Sequence, residues 1–390
     1  MKLTPFQWSS FNFFGFYAAF GVLVPFLPVW LNHHQYNVDT IGTLIALGYL
    51  FRLVGAMFFS KKIKEPNQLL PLSRFLTWGA VVLVIGMAWG VSSIWFFVPL
   101  LAFFHIVNGG AMPIADTIAA NWQQQNMLDY GKSRLFGSLA FVVSSVSTGF
   151  LLEWTGQDAI ITILALWLIL LGIGISFQPS QTFKSVRENQ THQEISYRQL
   201  LSNRTTVRMI IAVSLVQASH AAYYAYSTMH WTSNGISTQQ ASLLWGLSVL
   251  AEVLFFYFSK RLFGNMGIRT LVLVAIAGAM IRWGLLASTV EFSCLVLVQL
   301  LHTATFGISH YAMIRYIATQ PMAHSAKLQA LYFSVANCGA MAALTFIAGK
   351  LYLVSPQVSF GLMAATVIPA LFILPKKFIV KMQTTSGEKP

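Results

Sequence analysis

Charge is what this chain has least of. Asp, Glu, Lys and Arg make up 9% of its 390 residues, whereas 56% are hydrophobic and 14% aromatic. A water-soluble domain carries far more charge, so an ordinary soluble fold is excluded. Cysteine is nearly missing too. Its two copies, Cys294 and Cys338, fall in apolar runs, which excludes a disulfide framework or a metal cluster and predicts free buried thiols. No Gly-rich phosphate loop ending in Gly-Lys-Ser/Thr occurs, and no polar stretch is long enough for a nucleotide domain. Any pumping is therefore expected to run on an ion gradient, with no cofactor. The first apolar run follows a single lysine and lacks a small-residue cleavage site. It is expected to be a retained span and not a removable signal peptide.

What the chain does have is long apolar runs. Twelve begin near Trp8, Thr40, Leu69, Trp95, Leu135, Ala159, Val207, Gln239, Thr270, Phe292, Leu328 and Ser359. Each covers about 18 to 25 residues, enough for a helix to cross a hydrocarbon core ~30 Å thick. Backbone groups find no partners in lipid, so spans are helices or closed barrels, and the period-two alternation of a barrel is missing. The predicted fold is an all-α integral membrane protein with twelve transmembrane helices.

Orientation follows from the basic residues. Taking the gaps alternately, 21 of the 24 lie on the side of the N-terminus; the exceptions are Arg52 and Arg282 inside spans and Lys350 at a helix edge. The other side carries Asp39, Glu153, Asp158 and Glu291. The positive-inside rule then places both termini and the long middle loop in the cytoplasm, as expected for a multi-pass protein of the cell inner (plasma) membrane. A net charge of +13 is explained by anionic lipid headgroups, and nucleic acid is not an expected partner.

The longest polar stretch runs from Pro179 to about Arg204, with six spans on either side. Phe59-Ser60-Lys61-Lys62 after the second span is echoed by Phe258-Ser259-Lys260-Arg261 after the eighth. The expected division is an N-terminal six-helix half over 1–178, a cytoplasmic linker over 179–206, a C-terminal half over 207–375 and a tail over 376–390. Two parallel six-helix halves around a central site is a plan of secondary transporters. A non-transporting membrane sensor would need a signalling domain for which the loops are too short.

Charges inside spans cost ~2.5–3.5 kcal/mol each on insertion scales, so they mark pairs or pathways. Arg52, Asp116, Arg134, Glu252 and Arg282 are the charged candidates, joined by His105, His220, His302 and His310. Glu252 and Arg282 lie deep in their helices; Asp116 and Arg134 could equally sit at the interface. Three stripes in the C-terminal half follow helical spacing: Gln217, His220 and Tyr224; Trp245, Ser248 and Glu252; Gln299, His302, Ser309 and His310. They either face a shared cavity or glue the bundle by hydrogen bonds worth ~0.6 kcal/mol each.

These residues resemble a family. Two half-repeats, the segment Pro25-Phe26-Leu27-Pro28-Val29-Trp30-Leu31, and Asp116 followed by Arg134 within Tyr130-Gly131-Lys132-Ser133-Arg134-Leu135-Phe136-Gly137 are similar to the lactose-permease-like branch of the major facilitator superfamily. In that branch a Glu and an Arg at this spacing bind substrate. Glu252, Arg282 and His302 match its eighth-helix glutamate, ninth-helix arginine and tenth-helix histidine. Within it, Leu128-Asp129-Tyr130-Gly131-Lys132, His220-Ala221-Ala222-Tyr223-Tyr224, Ala251-Glu252-Val253, Arg282-Trp283-Gly284, Thr305-Phe306 with His310, and Met313 with Arg315-Tyr316-Ile317-Ala318 resemble the phenylpropionic acid transporters.

The departures carry information. Thr305 stands where lactose permease has its proton-carrying glutamate, Phe141 where it stacks a tryptophan on sugar, and Phe255 where it has an asparagine. The stretch from Gly55 to Glu65 also lacks the superfamily's loop aspartate. Arg52, Arg134 and Arg282 against Asp116 and Glu252 leave one positive charge over, which favours an anionic ligand held bidentately. The expected function is proton-coupled import of a small aromatic carboxylate such as 3-phenylpropionate, and no enzymatic activity. Asp116, Arg134, Phe141, Tyr224, Trp245 and Arg282 are the expected substrate residues. Glu252, His302 and His310 are the expected proton carriers, since buried carboxylates favour protonation and histidine titrates near neutrality. A nucleoside or oligosaccharide symporter on the same scaffold, or an uncoupled facilitator, is the alternative. No obligate protein partner is expected.

Overall fold

The computed structural model describes residues 2–62, 65–181 and 196–376; residues 182–195 of the expected linker and 377–390 of the expected tail lie outside them. The first six spans are single helices: α1 (Pro5–His33), α2 (Val38–Lys62), α3 (Leu69–Gly90), α4 (Ile94–Gln124), α5 (Tyr130–Thr155) and α6 (Ala159–Ser176). A short α7 (Tyr197–Ser202) precedes the seventh span, which is broken into α8 (Arg204–Ala218) and α9 (Ala221–Ser233). Then come α10 (Thr238–Phe263) and α11 (Ile268–Ser288). The tenth and eleventh spans are α12 (Phe292–Leu300) with α13 (Ser309–Ala318), and α14 (Met322–Phe333) with α15 (Met341–Tyr352). Each is interrupted by a widened π turn, Thr303–Ile308 and Ser334–Ala340. The twelfth is α16 (Pro356–Thr366) with α17 (Ile368–Ile373).

Among the described residues, eleven helices are long and apolar enough to cross a membrane. The broken seventh span is the twelfth crossing. It breaks because Ser219 and His220 turn their side chains back on the preceding turn, Oγ to the Val216 carbonyl at 2.7 Å and Nδ1 to the Gln217 carbonyl at 2.9 Å. Such local bonds compete with the helical ladder.

The two sets of six helices repeat each other atom for atom at several points. The first turn between helices closes with Tyr36 N–H donating to the Leu31 carbonyl, and Ile236 N–H donates to that of Trp231 in the same way. Gln35 and Gly235 sit there at φ of 66° and 90°. At the termini face, Arg74 of α3 donates to the Ile175 and Phe177 carbonyls that end α6. Arg269 of α11 does the same for Leu374 and Pro375 after α17. Trp8 also bonds the Phe177 carbonyl, and Arg208, the corresponding residue of the other set, bonds those of Ile373 and Phe372. A helix end leaves four carbonyls without partners and carries a partial negative charge, which these cations satisfy.

Within the first set α1 packs on α5 and α6, and α2 and α3 pack on α4. Close approach of α2 and α4 depends on Gly55 and Gly109, where an added Cβ would overlap the Ile106 carbonyl and the Arg52 backbone. Between the sets, α5 meets α10, α2 meets α15, and α1 meets α9. The face opposite the termini is closed. Lys350 Nζ lies 2.7 Å from Asp39 Oδ2, and Tyr226, whose hydroxyl bonds the Val38 carbonyl, packs at a tilt against Tyr352 with ring centroids 4.6 Å apart. Gly42 lets this seal form, since a Cβ there would collide with the Tyr226 hydroxyl and stand 3.1 Å from the Gly349 Cα.

Two outcomes follow from this packing. Arg269→Ala leaves the Leu374 and Pro375 carbonyls without their donor and lowers stability by about 1–2 kcal/mol, seen as a lower unfolding temperature of the purified protein; an unchanged Tm would show that water caps these carbonyls. Gly42→Trp wedges the closed face apart, so spin labels at Asn37→Cys and Val354→Cys, with Cys294 and Cys338 replaced, move farther apart than in the parent. Unchanged separations would mean that the seal lies elsewhere.

Candidate functional site

The first polar layer is built by α1, α4 and α5. Asn126, at φ 55°, turns the chain after α4, and Asp129 starts α5 by accepting the Lys132 N–H at 3.1 Å. That backbone hydrogen bond holds the Asp129 carboxyl below the usual carboxylate range. The turn returns Arg134 beside Asp116: Arg134 Nε is 3.8 Å from Asp116 Oδ1, and the Tyr130 hydroxyl donates to the same oxygen at 2.9 Å. The Arg134 guanidinium also bonds the Tyr17 hydroxyl and lies over the rings of Tyr17 and Phe13, 4.3 and 5.2 Å from their centroids. Gly137, one turn on, makes room: a Cβ there would stand 2.6 Å from the Tyr17 ring. The Arg134 and Asp116 side chains keep 32% and 39% of their surface accessible.

The second layer belongs to the C-terminal set. Arg282 is fully buried. Its Nε donates to the Val298 carbonyl at 2.8 Å, and Nη1 bonds both His302 Nδ1 and Thr305 Oγ1 at 3.0 Å. Its face lies over Tyr223 and Trp283 at 4.6 and 4.4 Å. Because Arg has only donors, His302 Nδ1 accepts, and the proton of the neutral ring sits on Nε2. That nitrogen faces Glu252 Oε2 at 3.5 Å. Glu252 keeps 22% of its side chain accessible and lies within electrostatic range of Arg134 across the interior. Thr305 joins the chain to His220, whose Nε2 is 3.0 Å from Thr305 Oγ1. The π turn aids the meeting, with Gly278 of α11 lying against Ala304.

Between the sets lies a cavity whose walls include Phe20, Ile45, Tyr49, Arg52, His105 and Tyr224, together with Leu23, Val24, Leu27 and Pro28 of α1. Arg52 stacks on the Phe20 ring at 4.8 Å, one helical turn along α1 from the Tyr17 that holds Arg134.

The structure therefore brings Asp116 to Arg134, and Glu252, His302 and Arg282 into one chain. Tyr224 lines the cavity, stacked on Trp245 with centroids 6.1 Å apart. Trp245 itself is buried and donates to Thr228 Oγ1, and Phe141 is buried against α1 at Gly21. Arg282, expected at the substrate, is enclosed: Nε and Nη1 bond its own half, and Nη2 is buried without a hydrogen-bond partner. His310 stands apart from the proton chain, with the Phe306 ring stacked between it and His302. The three stripes meet one another more than the cavity: Gln217 bonds Ser309 Oγ at 2.8 Å, Tyr223 bonds Gln299 at 2.7 Å, and Ser248 bonds its own helix. The reasoning from spacing missed Tyr130 as the partner of Asp116, and Phe20 and Tyr49 as cavity walls. Arg52 and His105 were visible as polar residues within spans, but nothing in their spacing showed that they share a wall.

Comparison with known proteins agrees with this architecture. The family model described as "MFS_1 like family" matches residues 6–362. The "Probable 3-phenylpropionic acid transporter" of Escherichia coli (strain K12) is 32% identical over 377 residues, covering 96% of this chain and 99% of that protein. Among solved structures, the nucleoside transporter NupG superposes with a TM-score of 0.82 at 14% identity, over 95% of this chain and 98% of that one. A D-xylose-proton symporter superposes at 0.66, also at 14% identity, over 95% of each; at such identities the likeness is one of fold. With twelve crossings in two matching sets and a family model covering most of its length, the chain belongs to the MFS_1 like family of membrane transporters.

Proposed function

We propose that this protein is a symporter that brings a small aromatic carboxylate of the 3-phenylpropionate type into the cell together with protons. It would sit in the cell inner membrane with both termini in the cytoplasm, the side favoured by the clustering of its basic residues. The observation that carries the reading is that a titratable carboxylate, Glu252, and a guanidinium, Arg134, each keep accessible surface among the helices and lie within electrostatic reach of one another. An anion and a proton held within such reach attract each other, so each raises the other's affinity by the same factor. The name carried by the Escherichia coli relative supports an aromatic acid as the anion.

Glu252 is the group that takes the proton. A second proton on His302 would set its Nδ1–H against the Arg282 N–H that it now accepts, whereas Glu252 can be protonated without breaking a bond. His302 and Arg282 position it, and Thr305 fastens that chain to α9 through His220.

Uptake is measured in proteoliposomes against protein-free liposomes, because the neutral acid crosses bare lipid. An inward proton gradient drives accumulation of labelled 3-phenylpropionate that a protonophore abolishes. In Glu252→Gln uphill accumulation is lost and exchange across the membrane persists; accumulation equal to the parent's would remove Glu252 from the coupling. One proton moving with one monoanion carries no net charge, so a potassium-diffusion potential of 100 mV leaves accumulation unchanged. A second proton would add ~2.3 kcal/mol of drive under the same potential.

A further inference from the structure

Of Arg52, Arg134 and Arg282, the three guanidiniums deep within the helices, two are committed. Arg134 is held by Asp116 and Tyr17, and Arg282 by Val298, Thr305 and the His302 that leads to Glu252. Arg52 is different. Among the described residues no carboxylate lies within ion-pair distance of it, and the titratable groups nearest to it, Tyr17, Tyr49, His105 and Cys338, include no carboxylate. It forms part of the wall of the cavity between the two sets of helices. A guanidinium left without an anion amid apolar side chains is costly unless a ligand supplies one.

The placement of Arg52 suits that role. Its guanidinium carbon lies over the Phe20 ring, 4.8 Å from the centroid, and a guanidinium offers a carboxylate two parallel N–H bonds in its plane. The rest of the wall is apolar and aromatic, with Tyr49, Tyr224, Leu23 and Val24 placed to enclose a ring. His105 lines the same cavity, and its Nδ1 has no hydrogen-bond partner.

We propose that Arg52, and not the Arg134–Asp116 pair, anchors the carboxylate of the substrate, with the aryl ring seated against Phe20, Tyr49 and Tyr224. This rests on the aromatic-acid reading above and assigns Arg134 to the coupling with Glu252. The site selects monoanions with an apolar body. Neutral amides of the same shape lose the bidentate pair, and zwitterions bring an ammonium towards a cation.

The test is equilibrium binding to the purified protein, read by tryptophan fluorescence, with 3-phenylpropionate, its neutral amide, uridine and lactose as probes. The parent prefers the acid over the amide by at least about 30-fold, the worth of a charge-assisted bidentate pair. Arg52→Met removes that preference by weakening the acid alone, and unchanged amide binding shows that the variant is folded. Arg52→Lys keeps the charge without the fork and falls between them; it carries the test by itself should the methionine variant fail to fold. A full acid preference retained in either variant overturns the Arg52 assignment and leaves the aromatic-acid reading standing. Binding of uridine or lactose by the parent, with none of the acid, overturns both.

Discussion

A guanidinium enclosed by membrane-spanning helices must find its partners within the protein, because lipid supplies neither hydrogen bonds nor counter-charge. Arg282 shows how far that requirement reaches. Its bonds to Val298, His302 and Thr305 draw α11 onto the tenth span at the level of the π turn. By taking His302 Nδ1 as acceptor it decides which nitrogen of that ring faces Glu252. Thr305 passes the constraint to His220, at the break in the seventh span. One buried cation thereby sets the geometry of four of the six crossings in its half. The same logic operates at the helix ends, where Arg74, Arg208 and Arg269 supply donors that water would give a soluble helix.

Charge is also what separates the roles of the interior residues. Asp116 answers Arg134, and His302 links Glu252 to Arg282, so the cavity retains Arg52 as its unmatched group. The polar side chains beyond these pairs are mostly turned towards each other inside the C-terminal set, as Gln217 with Ser309 and Tyr223 with Gln299 show. Polar residues in spans thus divide into those that hold helices together and those that face a space, and the second class is the smaller.

The seal on the face opposite the termini depends on small residues more than on the single ion pair it contains. Lys350 and Asp39 are partly exposed, and such a pair contributes about 0–1 kcal/mol. Gly42 against Tyr226 and Gly349 allows the two sets of helices to approach closely there, and close approach is what excludes water. Arg134, Asp116 and Glu252 remain accessible while that face is shut. A rocking of one set against the other would open the seal and bury this layer in turn.

Length and apolarity of the runs were enough to place nearly every crossing, since a bilayer demands about twenty apolar residues per helix whatever their contacts. The echo of Phe59–Lys62 in Phe258–Arg261 pointed to two like sets, and the repeated turn and helix-end bonds are its tertiary counterpart. The pairing of Asp116 with Arg134 was legible through family resemblance, which also singled out Glu252 and His302 without joining them. Composition and periodicity alone did not carry it, because a helical stripe says which residues share a face and not what that face meets. Tertiary structure decided the rest: that Arg282 is enclosed, that Phe306 stands between His310 and His302, that the seventh span breaks at His220, and that Arg52 faces a cavity without an acid. These depend on distances between helices remote in the chain, which hydrophobic patterning leaves open.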